Sequence, residues 1–131
     1  MVPYSKRGEG KFETLDKGRQ LASHTIHLCS NEKNFPKRYR WCITGKIADS
    51  SITICEYIEM ATSVFVETHE DYVLRRQLQT KALAETYTLY SMIEISKITF
   101  GLECGKAANW AQMVTDLQEM IRNWKKKDKK V

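Results

Sequence analysis

The sequence predicts an all-α protein, an antiparallel up-down-up-down four-helix bundle, and three observations carry that prediction. Apolar residues recur at helical spacing through most of the chain, Gly and Pro together number only eight of 131 residues, and the candidate helices are joined by short polar connections. A hydrophobic fraction of 42% supplies one core, and the length suits one domain over 1–131, with an N-terminal extension over about 1–12 and a basic tail over about 127–131. A large multidomain enzyme is excluded.

The first helix is expected over about 13–30, with Leu15, Ala22, Ile26 and Cys29 facing inward. Asn34-Phe35-Pro36 puts a proline where a second helix, about 37–66, would begin. In that helix Ile43, Ile47, Ile54, Ile58, Ala61 and Phe65 fall on one stripe at about 100° per residue. Thr68-His69-Glu70-Asp71 offers a cap and early carboxylates to a third helix over about 70–100, which Gly101 ends. Its inward stripe is Leu78, Ala82, Leu89, Ile93 and Phe100. The fourth helix, about 106–126, steps four, three, four, three through Trp110, Val114, Leu117, Ile121 and Trp124. Short connections make successive helices antiparallel.

A second apolar set on the third helix, Leu83, Tyr87 and Tyr90, lies a quarter turn or more from the first. A subunit interface is one reading of it, and a broad core face is the other. Four cysteines, Cys29, Cys42, Cys55 and Cys104, are far apart with no metal-like spacing, and buried free thiols are the expectation.

The formal net charge of +5 makes an anionic partner worth considering, and the placement of the charge sharpens the point. Basic residues cluster as Lys33, Lys37, Arg38, Arg40 and Lys46 around the start of the second helix, as Arg75, Arg76 and Lys81 in the third, and as a lysine tail from Lys125. Between Ile47 and Asp71 there is no Lys or Arg. The tail complements a helix dipole and adds solubility. Lys37, Arg38 and Arg40 in a first turn would instead oppose the dipole, at about 0.3–1 kcal/mol each. A polyanion would offset that cost, with Tyr39 and Trp41 as stacking surfaces. The other reading is an ordinary solvated face with Trp41 buried. Alternating helix directions would gather Lys33, Lys37, Arg38, Arg40, Lys97 and Lys106 at one bundle end, and Lys6, Arg7, Lys11, Arg75, Arg76 and the tail at the other.

Catalytic and cofactor signatures are missing. Gly101-Leu102-Glu103-Cys104-Gly105-Lys106-Ala107 has too few spacers for a P-loop and Ala in place of its hydroxyl residue. No Glu-x-x-His pair of the di-iron bundles occurs. His24 and His27 share a face without a further ligand one turn away, and neither the Glu56 and Glu59 pair nor any Cys with His has a local catalytic signature. No enzyme activity, metal or cofactor is expected. The longest stretch without a charged residue, Gln20–Asn31, holds twelve residues, too few for a membrane span, and no secretory signal is recognised at the N-terminus, so a cytoplasmic protein without a membrane partner is expected.

Over nearly its full length the chain resembles the four-helix-bundle family that includes the accessory variability determinants of diversity-generating retroelements and the proteins encoded in intervening sequences of 23S ribosomal RNA genes. The segment that carries the resemblance is Asn31-Glu32-Lys33-Asn34-Phe35-Pro36-Lys37-Arg38-Tyr39-Arg40-Trp41, supported by Arg75-Arg76 and the late Trp124. The opening Arg7-Gly8-Glu9-Gly10-Lys11 favours the retroelement branch. The resemblance implies a basic homopentamer with a central pore and no catalysis of its own. Such an assembly would bind the retroelement reverse transcriptase and template RNA, or an RNA/DNA hybrid, during mutagenic cDNA synthesis and retrohoming. Lys37, Arg38 and Arg40 match the family's basic start to the second helix, and Arg75 and Arg76 its basic start to the third. The ribosomal branch implies a small bundle of uncertain role with rRNA as its partner, if any. Gene neighbourhood separates the two branches.

Overall fold

The computed structural model describes residues 9–131, and among them every regular element is helical. Helix α1 runs Glu9–Ser30, a 3₁₀ turn Lys37–Tyr39 leads into a π turn Arg40–Thr44, and α2 (Gly45–Ser63), α3 (His69–Phe100) and α4 (Cys104–Lys127) follow. Each helix packs on its sequence neighbours, and α1 meets α4 to close the bundle. No helix among the described residues is long and apolar enough to cross a membrane.

The helix ends follow local chemistry. Thr68 caps α3 in a reciprocal box: its hydroxyl accepts from the Asp71 N–H, and Asp71 accepts from the Thr68 N–H. Hydrogen bonds to its carboxylate from the Glu67 N–H and then the Thr68 N–H hold the Asp71 carboxyl below its ordinary pKa. Gly101 closes α3 in the left-handed region at φ 63°, where a side chain would be strained. Glu103 opens α4 by accepting from the Gly105 and Lys106 N–H groups at 2.8 and 3.0 Å, which lowers its pKa.

The core is one cluster. α4 buries all of Trp110, Val114, Leu117, Ile121 and Trp124, α3 buries Ala82, Leu89 and Ile93, and α2 buries Ile47, Ile54, Ile58 and Ala61. Leu78, Phe100 and Ile43 pack on its edge. Small polar residues fill the rest of the inward faces: Ser51, Thr86 and Ser96 are buried, their hydroxyls donating to carbonyls three or four residues back in their own helices. Trp110 lies at the centre, its indole N–H donating to the buried Thr25 hydroxyl at 3.0 Å.

Several sequence expectations are corrected. The second α-helix starts at Gly45 rather than 37, because the chain after Pro36 winds first as 3₁₀ and then as π helix. It ends at Ser63, and Phe65, now on an extended connection, is 76% exposed rather than in the core. On α1 the inward face is Thr14, Gly18, Leu21 and Thr25 beside Leu15, while Ile26 turns outward at 45% exposure. Polar and glycine positions, invisible to an apolar count, carry that face: a Cβ on Gly18 would sit 3.0 Å from Ile58 Cδ1. Nor are the thiols all buried. Cys42 and Cys104 are exposed and Cys29 and Cys55 are half-buried, burial pushing the Cys29 pKa up to about 12. The N-terminal helix also starts earlier than expected, at Glu9.

Trp110→Ala is expected to cost about 3–5 kcal/mol by opening a cavity at the centre of the bundle. Thr25→Val should cost about 1–3 kcal/mol by leaving the buried indole N–H without an acceptor. Urea midpoints at constant slope measure both, and a loss under about 0.5 kcal/mol for either would contradict this packing.

Candidate nucleic-acid interface

The basic segment is held to the bundle end by the connection before it. Asn31 accepts from the Lys33 N–H through its side chain and from the Asn34 and Phe35 N–H groups through its carbonyl, bending the chain back. Phe35 is thereby buried, edge-on to Phe100 at 5.5 Å and to Trp110 at 6.1 Å. Asn34 donates to the Leu28 carbonyl and accepts from Lys106 Nζ at 3.2 Å. Pro36 follows with φ −55° and ψ 136°, and its missing N–H costs nothing at the start of a turn. Tyr39 lies on Phe100, their centroids 5.1 Å apart.

The residues between these anchors face solvent. Lys33, Lys37, Arg38, Arg40 and Lys46 are exposed, and Trp41 is 90% exposed. The solvated reading with a buried Trp41 is therefore overturned for the tryptophan. No Asp or Glu occurs from Lys33 to Ala48, and none of the five cations forms an ion pair among the described residues. The Arg38 guanidinium stacks 5.0 Å over the Tyr39 ring. The 3₁₀ and π turns run without a break into α2, so Lys37, Arg38 and Arg40 stand at the N-terminal end of one helical run, where the expected dipole cost applies. The π turn closes through the Gly45 N–H to the Arg40 carbonyl, and a Cβ at Gly45 would press on that oxygen at 3.3 Å.

The arrangement is a segment with no carboxylate of its own, tied to the core through Phe35 and Tyr39, with point charges, a bidentate donor in each arginine and one bare indole. It can neutralise phosphates and stack a base. Lys97 and Lys106 share this bundle end, Lys97 3.5 Å from Glu94 and Lys106 on Asn34.

The opposite end gathers Lys11, Arg75, Arg76 and Lys125, whereas Lys6 and Arg7 lie outside the described residues. These four have internal partners, whereas Lys126, Lys127, Lys129 and Lys130 of the tail are exposed. Arg75, its side chain only 11% exposed, donates to the Ala61 carbonyl at 3.2 Å, to the Val64 carbonyl, and to Asp128 at 3.3 Å. Asp128 also accepts from the buried Gln79 amide at 3.0 Å. Arg76 donates to the Lys125 carbonyl at 2.6 Å. Both arginines thus close the carbonyl ends of α2 and α4, a tertiary role that no local sequence signal distinguishes from a free basic pair. Desolvation, then Arg75 for Lys11 and Arg76 for Lys125, lowers those two lysine pKa values.

The set proposed as an interface divides. Leu83 packs on the core edge, Tyr87 is half exposed with the Arg122 guanidinium on its hydroxyl and 5.7 Å over its ring, and Tyr90 is exposed. Ile98, 86% exposed near the end of α3, is a further outward apolar residue. His24 and His27 border a shallow cavity between α1 and α4 with Gln20, Ser23 and Met113, and burial, then His27, lowers the His24 pKa. No three His, Cys, Asp or Glu residues among those described converge as a metal site.

Comparison of the chain with protein-family models, with curated proteins and with solved structures gives no match.

The two basic groups should separate by stability. Arg75→Met is expected to lose about 3 kcal/mol, because it strips Asp128 and two helix-end carbonyls of their donor. Arg38→Ala with Arg40→Ala should stay within about 0.5 kcal/mol of the parent. Denaturant unfolding decides it, and the reverse order would contradict the assignment of the two groups.

Proposed function

We propose that the chain is a non-catalytic, RNA-binding subunit whose contact surface is the segment Lys33–Lys46. The observation that carries this reading is a single one: five exposed, unpaired cations and a bare Trp41 occupy a segment with no carboxylate. Charge alone would serve any polyanion, but a solvent-exposed indole among arginines adds a stacking surface suited to unpaired bases. Arg75 and Arg76, held by internal partners, support the nucleic-acid surface from the far end at most through their charge.

The resemblance in the Phe-Pro-Lys segment directs the reading further. In it the RNA is the template of a diversity-generating retroelement, the protein partner is that element's reverse transcriptase, and the setting is the cytoplasm. Copies of the bundle assemble as a homopentamer through the face of Leu83, Tyr87 and Tyr90, which repeats the basic segment around a ring. The bundle contributes binding and alignment during mutagenic cDNA synthesis, and the polymerase contributes the chemistry.

Fluorescence anisotropy with a single-stranded RNA across a salt series tests the surface. Binding should weaken steeply, with a log–log slope of about −3 for four or five neutralised phosphates. Arg38→Ala with Arg40→Ala should flatten that slope by about 1.4, whereas Trp41→Ala should cost about 1–3 kcal/mol of affinity with the slope retained. Affinity independent of salt, or unchanged in both variants, would overturn the proposal.

A further inference from the structure

The sixteen carboxylates are unevenly placed. From Ile47 to Leu74 the chain carries Asp49, Glu56, Glu59, Glu67, Glu70 and Asp71 and no Lys or Arg. In a molecule of net charge +5, α2 is therefore an acidic element directly after the most basic segment. With Ile47, Ile54, Ile58 and Ala61 buried, helical geometry turns Asp49, Ile52, Glu56, Glu59 and Met60 to the outside. Ile52 and Met60 are 41% and 44% exposed, and with Cys55, Glu56 and Glu59 they line a shallow furrow. The two apolar side chains are eight positions apart, a span of about 12 Å along the helix.

Little in the chain consumes these groups. Asp49 and Glu56 have no ion pair among the described residues, and Glu59 pairs only with Arg19, at 3.2 Å, with both side chains more than half exposed. Such an exposed pair contributes little and yields readily to a competing cation. The furrow thus has an apolar floor and a rim of negative charge. Nucleic acid is repelled by that rim, and an acidic helix is repelled equally. What matches it is a helix with apolar residues every three or four positions and Lys or Arg beside them, the pattern by which amphipathic helices settle into methionine-lined grooves.

We infer that the outer face of α2 docks a cationic amphipathic helix of a protein partner. The partner's apolar side chains lie on Ile52 and Met60, and its cations meet Asp49, Glu56 and Glu59, displacing Arg19 from Glu59. This site does not depend on the RNA surface, because it has the opposite charge and lies on the helix wall rather than at the bundle end.

The probe is a fluorescein-labelled helical Leu/Lys peptide of about 18 residues with Leu at i, i+3, i+4 and i+7, compared with its scrambled sequence. The intact protein should bind the amphipathic peptide at least about tenfold more tightly than the scrambled one. Ile52→Asp with Met60→Asp, and separately Glu56→Lys with Glu59→Lys, should each weaken binding about tenfold or more, with helical far-UV spectra retained because all four side chains are exposed. Arg19→Ala should tighten binding by freeing Glu59. Equal affinity for the scrambled peptide, or insensitivity to both furrow variants, would overturn the inference. So would a solution mass above one chain that Ile52→Asp with Met60→Asp reduces, since a second copy would then cover the face.

Discussion

The burial of Trp110 is the constraint on which the rest of the molecule depends. A fully buried indole must find an acceptor for its N–H, and Thr25 of α1 provides it, which fixes α1 against α4 in rotation as well as distance. The ring edge then meets Phe35, and Phe35 meets Phe100. Through these two contacts the connection between α1 and α2 becomes part of the core. A connection tied down in this way delivers the next residues to a fixed place, so Lys37, Arg38, Arg40 and Trp41 form a surface of defined shape rather than a loose charged loop.

What was legible in the sequence and what was not divide along a physical line. The stripe of α4 was readable because large apolar residues at four and three spacing leave one way to bury them, and the cap at Thr68 and the stop at Gly101 were readable because each is settled within a few residues. The inward face of α1 is not legible in the same way, because Thr14, Gly18 and Thr25 fill it, positions that an apolar count scores as outward. The 3₁₀ and π turns after Pro36 were not foreseeable either. Within them Tyr39 lies on Phe100, a residue some sixty positions later, a contact that no local pattern announces. Arg75 shows the same limit at the candidate site: as sequence it is half of a basic pair, and only the arrival of the ends of α2 and α4 beside it gives its donors their acceptors.

The charge distribution acquires an order that composition alone conceals. Lys33, Lys37, Arg38, Arg40 and Lys46 by the α1–α2 connection stand free, Arg75 and Arg76 at the opposite end are joined to carbonyls and Asp128 beside an exposed lysine tail, and the wall of α2 is negative. Free charge is what a polyelectrolyte ligand can use, because a cation already engaged must give up its partner before a phosphate gains from it. A count of Lys and Arg at each end therefore does not rank the two as sites.

The central claim, that the anchored segment after Phe35 is where nucleic acid sits, is tested most directly by hydrogen–deuterium exchange with and without single-stranded RNA. The account predicts added protection concentrated between Lys33 and Lys46, with little change over the outer face of α2 or around Arg75. Protection centred on Arg75, Arg76 and the lysine tail, with the segment after Phe35 unaffected, would contradict it.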